Sequence, residues 1–189
     1  MFKKVMFSWA KEMDKERQRN IKQEKKYLIS VENTVRERMM EIDDIVDPML
    51  SKVREVGYLD LDDENISQET KVNKSSEVTD EIEVSINQLE ERKYLFRVPN
   101  NIFTKYENYM DETIKFGRLL LETAQAYNKY YAFQYLNTNK DFLGEEELEV
   151  LETLQRESWG RIARKLDNQI SDQYAKTVEY LGYVFDEID

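Results

Sequence analysis

Five glutamates crowd eight positions, Glu145, Glu146, Glu147, Glu149 and Glu152, and on a helix the spacings Glu146–Glu149 and Glu149–Glu152 put carboxylates on one face. Such a face can hold a divalent cation and the water it activates, the chemistry of magnesium-dependent hydrolysis. A helical nucleotide hydrolase of that kind needs a further Glu-x-x-Asp downstream, and none follows. The run is better read as the first turns of a helix, where the N-terminal dipole favours negative charge. A second acidic run, Asp60, Asp62, Asp63 and Glu64, invites calcium. Counting from Asp60, the sixth, eighth and twelfth positions are Asn65, Ser67 and Lys71, where an EF-hand loop needs Gly, a hydrophobic residue and Glu. No metal site is expected there.

The chain contains neither His nor Cys. Serine and cysteine triads, most zinc sites and the Glu-x-x-His pairs of di-iron bundles all require one or the other, so those chemistries are excluded. The expectation is a protein without catalytic residues, cofactor or metal. Two other groups of side chains suit recognition instead. At the start of the chain, Phe2, Val5, Met6, Trp9 and Met13 fall within one arc of a helix, opposed by Lys4, Lys11, Lys15 and Arg19. Such a segment can pack on the body or on a second copy, fill a groove of a partner protein, or lie on an anionic membrane surface. The second group is Tyr127, Tyr130, Tyr131, Phe133 and Tyr135, too many aromatics for one buried stripe. Packing against Trp159 accounts for part of it, and Tyr130, Tyr131 and Tyr135 are the candidates for an amphipathic contact flank. Arg156, Arg161, Arg164 and Lys165 form a small basic island, read as intramolecular ion-pair partners.

Charge is unevenly divided. The formal net charge is −11, yet residues 1–26 hold nine basic side chains against four acidic ones, so a basic head precedes an acidic body. Residues 60–91 carry eleven acids against Lys71 and Lys74. Neutralising phosphates needs clustered Lys and Arg, and the net charge of −11 argues against it, so direct nucleic-acid binding is not expected. No apolar run of about 18 residues exists, and Lys11, Glu12, Asp14 and Lys15 interrupt the first apolar segment. A cytoplasmic protein is expected.

The elements that would position these groups are helices. Phe103, Tyr106, Met110, Ile114, Gly117, Leu121, Ala124, Tyr127 and Tyr131 form one heptad stripe. Leu148, Leu151, Gln155, Trp159, Ile162, Leu166, Ile170, Tyr174, Val178, Leu181 and Phe185 form another. Helices over about 101–136 and 144–188, joined by the polar Asn137–Asp141 connection, predict an antiparallel hairpin. An N-terminal helix over 2–56 and a shorter one from Ser76 or Thr79 to about 97 would cover it. Leu28, Val35, Ile42, Met49 and Val56 repeat every seven residues in the N-terminal helix, with Met39, Val46 and Val53 between them. A kink or restart is expected at Asp47-Pro48 and a stop at Gly57, followed by a flexible acidic loop at 58–76. Only Ile21 is apolar between Asp14 and Lys26, so residues 1–26 read as a basic amphipathic helix able to project from the bundle formed by 27–189.

The expected architecture is therefore an elongated all-α bundle. The expected function is a non-enzymatic interaction, scaffold or adaptor role, with Phe2, Met6, Trp9, Met13, Tyr130, Tyr131 and Tyr135 contacting a protein partner or further copies. Two alternatives differ in class. The acidic 60–91 region could block the basic surface of a target as a nucleic-acid mimic, or residues 1–20 could attach the chain to a membrane surface.

Overall fold

The computed structural model describes residues 2–59, 66–94 and 98–187, with side chains from residue 12 onward. Among these the chain forms five α-helices and no strand: α1 (Phe2–Tyr58), α2 (Gln68–Glu91), α3 (Asn100–Thr138), α4 (Glu145–Gln155) and α5 (Trp159–Asp186). A single 3-10 turn at Lys140–Phe142 stands between α3 and α4.

Contacts across helices set their directions. Lys52 and Glu41 of α1 pair with Glu81 and with Arg92, just past the end of α2, so α1 and α2 are antiparallel. Arg118 of α3 bonds Glu90 at 3.0 Å and Asn128 bonds Ser75 at 3.0 Å, which makes α3 antiparallel to α2. Asn101 reaches Glu187 at 2.7 Å, Gln173 reaches Glu112 at 3.0 Å, and the Lys129 ammonium sits 4.3 Å from the centre of a Trp159 ring. The predicted hairpin is thus present as α3 against α5. The second half of α1 packs on α2 and α3, giving an up-down-up-down bundle of α1, α2, α3 and α5 with α3 as the common partner of every other helix.

The core explains this choice. Val35, Ile42, Met49 and Val56, with Met39, Val46 and Val53 between them, are buried along α1; Val78, Ile82, Ile86 and Leu89 are buried along α2. They meet α3 where Gly117 leaves room, since a side-chain carbon there would stand 3.2 Å from both Ile86 and Met49. At the other end of α3, the fully buried Tyr131 donates its hydroxyl to the Val56 carbonyl at 2.8 Å.

Four expectations change. The helix runs through Pro48 without a restart, because an exposed proline costs one hydrogen bond while Val46 and Met49 beside it hold the backbone in the core. Gly57 lies inside the last turn of α1 and stops nothing; its place is explained by Tyr127, whose hydroxyl would meet an added side-chain carbon at 3.1 Å. The segment 68–76, read as loop, is the start of α2. Ser67 caps it by accepting from the Thr70 N–H at 3.1 Å, and Lys71 and Ser75 occupy its buried positions. Residues 60–65 of the expected acidic loop, and with them the carboxylates examined for calcium, lie outside the described residues.

The fourth change is a break in the expected helix 144–188 at Arg156–Ser158. The buried residues of α5 are Ala163, Ile170, Thr177 and Val184, seven apart. Carried backward, that register would bury Arg156 and Glu149, whereas α4 buries Leu151. The chain re-phases between the two helices, with Ser158 at a non-helical φ of −89° and ψ of 70°. The glutamates open α4 as expected, and Glu147 accepts from the Gly144 N–H at 2.9 Å.

Candidate interaction surfaces

Every residue from Glu12 to Ser30 is exposed, and the first buried position of α1 is Val31. The same helix therefore has two environments: a C-terminal half whose apolar stripe is buried in the bundle, chiefly against α2 and α3, and an N-terminal arm whose side chains from Glu12 to Ser30 are all exposed. At 1.5 Å per residue the stretch from Phe2 to Ser30 spans roughly 43 Å. A helix that is polar nearly all round depends on strong helix formers and local ion pairs. The arm has them in Glu, Lys, Arg and Gln, with Glu12–Lys15 and Glu16–Arg19 at i,i+3 spacing. Between Glu12 and Ser30 the large apolar side chains face water: Met13 is 52% exposed, Ile21 47% and Leu28 41%, with Tyr27 and Ile29 beside them. Leu28 was expected to begin the buried seam and instead precedes it by one turn.

Of the predicted contact residues, Met13 lies on this arm and is open. The side chains of Phe2, Met6 and Trp9 lie outside the described residues, although their backbone continues α1. The aromatic flank divides. Tyr131 belongs to the core, fully buried and bonded to Val56, so it is withdrawn as a contact residue. Tyr130 is half-buried, packs over Gly160 at the start of α5 and accepts a hydrogen bond from Gln134 at 2.6 Å. Tyr135 is also half-buried. The structure thus does not bring the arm and the tyrosines together; they lie on α1 and on the far end of α3.

Sequence reasoning missed a cleft between α1 and α5. Asp43, Val46 and Asp47 form one wall, Tyr174, Val178 and Leu181 the other, and Tyr109 and Thr113 of α3 the floor. Tyr174 and Val178 were placed in the buried stripe and are instead 42% and 48% exposed, because α5 turns Gln173 and Thr177 toward α3. The signal was available as the seven-residue spacing of Ala163, Ile170, Thr177 and Val184, hidden by the small or polar character of two of them. Partial burial, with Asp47 and Asp44 nearby, raises the Asp43 carboxyl above its ordinary value.

The acidic face of α2 is partly neutralised within the bundle. Glu81 pairs with Lys52 and Glu90 with Arg118, which lessens the negative field a nucleic-acid mimic would need. A cleft between α3 and α5 mixes both signs, Lys115, Arg118 and Lys176 with Glu122 and Asp172. The basic island is exposed, and Arg164 donates its Nε to the Gly160 carbonyl of its own helix at 3.0 Å.

Among the described residues no group of three or more Asp or Glu side chains is arranged to hold a metal ion, and no helix is long and apolar enough to cross a membrane. The chain matches no known protein-family model, no curated protein and no solved structure.

Proposed function

We propose that this chain is a helical interaction protein in which a four-helix bundle serves as the base and the N-terminal arm as the docking element. The observation that carries this reading is the exposure of every side chain from Glu12 to Ser30 on a helix that is continuous with the core. The stretch from Glu12 to Ser30 buries no side chain in the bundle, while it presents Met13, Ile21 and Leu28 to a binding surface. Helix-in-groove or helix-on-helix recognition uses apolar anchors at such spacings, framed by charge. The absence of His and Cys from the whole chain agrees with a role that needs no nucleophile or imidazole.

The test is affinity capture from the native host, comparing the unaltered chain with a variant carrying Met13→Asp, Ile21→Asp and Leu28→Asp. Loss of the captured protein, or of captured copies of the chain itself, is the expected result. Capture that is equal for both chains would remove the arm from the function. Flotation with anionic vesicles that depends on the same three residues would replace the protein partner with a membrane surface.

A further inference from the structure

We propose that the partner of the arm is the arm of a second copy, paired antiparallel about a two-fold axis between Asn20 and Ile21; this rests on the docking role of the arm argued above. The face that α1 buries in the bundle continues outward from Val31 in steps of three and four through Leu28, Glu24, Asn20, Arg17 and Met13. All five are exposed. Arg17 and Glu24 stand seven residues apart on this face, too far to pair with each other in one helix, and Glu24 has no basic residue three or four positions away, so it looks outward for an opposite charge.

An antiparallel partner supplies it. With the two-fold between Asn20 and Ile21, Arg17 lies opposite Glu24 of the other copy and Met13 opposite its Leu28, and each pairing occurs twice. Asn20 meets Asn20 on one side of the axis and Ile21 meets Ile21 on the other. Asp14 and Lys25 flank the seam on the same side and add a second pair of opposite charges. A parallel arrangement sets Arg17 against Arg17 and Glu24 against Glu24 inside the seam. The antiparallel arrangement places the bundles at opposite ends, with residues 12–29 of the two arms side by side.

The experiment uses the full chain. Light scattering over a concentration series should give a dimer. Arg17→Glu alone or Glu24→Arg alone should raise its dissociation constant at least about tenfold by setting like charges together, and the two changes on one chain should restore it. Because the chain has no cysteine, the direction is read separately: Met13→Cys mixed with Leu28→Cys should cross-link under mild oxidation far faster than either variant alone. A constant monomer mass overturns the pairing, as does preferential Met13→Cys self-cross-linking or failure of the double reversal to rescue. An unaltered chain that stays monomeric but still captures a host protein through the arm overturns this inference alone and leaves the docking role intact.

Discussion

At the scale of single residues, this bundle depends on large polar side chains used as core material. Tyr106 and Tyr109 are buried, and Tyr106 donates its hydroxyl to the Arg92 carbonyl at 2.7 Å. Burial disfavours phenolate, raising Tyr106 and pushing Tyr109 up to about 12. An unfolded chain releases these protons near pH 10, so between there and the folded value the native state holds more protons than the unfolded one. Stability must then fall as pH rises from about 10 toward 12 and be insensitive to these two groups below that window. Ultraviolet titration checks this: part of the phenolate signal should appear only together with loss of helical circular dichroism. Residues of this kind also mark where sequence reading fell short. Lys71 and Ser75 hold buried positions of α2 that hydropathy assigns to solvent, and the Lys71 ammonium lies 6.0 Å from the centre of the Tyr131 ring. Polar groups whose partners come from distant helices leave no periodic apolar signal, which is why the first two turns of α2 read as loop.

At the scale of elements, periodicity was reliable wherever the buried positions were apolar. The α1 seam from Val35 to Val56 and the α2 seam from Val78 to Leu89 are buried as their spacing predicts. The failures lie where a stripe could be threaded through polar positions. Gln155 kept one stripe continuous across α4 and α5, although the change of register around it required the chain to leave helical geometry at Ser158. Pro48 posed the opposite problem, a breaker that breaks nothing. It is exposed, lacks the N–H that would bond the Asp44 carbonyl, and is carried by its buried neighbours. Pro48→Ala should therefore stabilise the protein by about 2 kcal/mol, the ~3 kcal/mol cost of proline within a helix less up to ~1 kcal/mol for the freer unfolded chain. Chemical denaturation of the two proteins measures the difference; an unchanged or lower stability would mean that the proline is needed for the course of α1.

At the scale of the whole molecule, the arm sets the dimensions. A compact chain of 189 residues has a radius of gyration of about 16 Å, whereas α1 alone is roughly 85 Å long. Small-angle scattering should give a radius well above the compact value and a maximum dimension of at least about 85 Å, whether one copy or two are in solution. A compact profile would mean that the arm folds back. The division between basic head and acidic body was legible from charge counts, and the solvated character of the arm from its single isoleucine between Asp14 and Lys26. The α1–α5 cleft was not, because it depends on how far two helices splay. One feature of α1 reaches further than its length. A free helix in water is limited by its first turn, which must form without support. Here the first turn is always present, supplied by the bundle at Val31, so the arm grows from a seed that never melts while the core is folded. Its amides should exchange on a gradient, slowest beside Val31 and fastest toward Glu12, which makes the usable reach of the arm a quantity that temperature adjusts continuously.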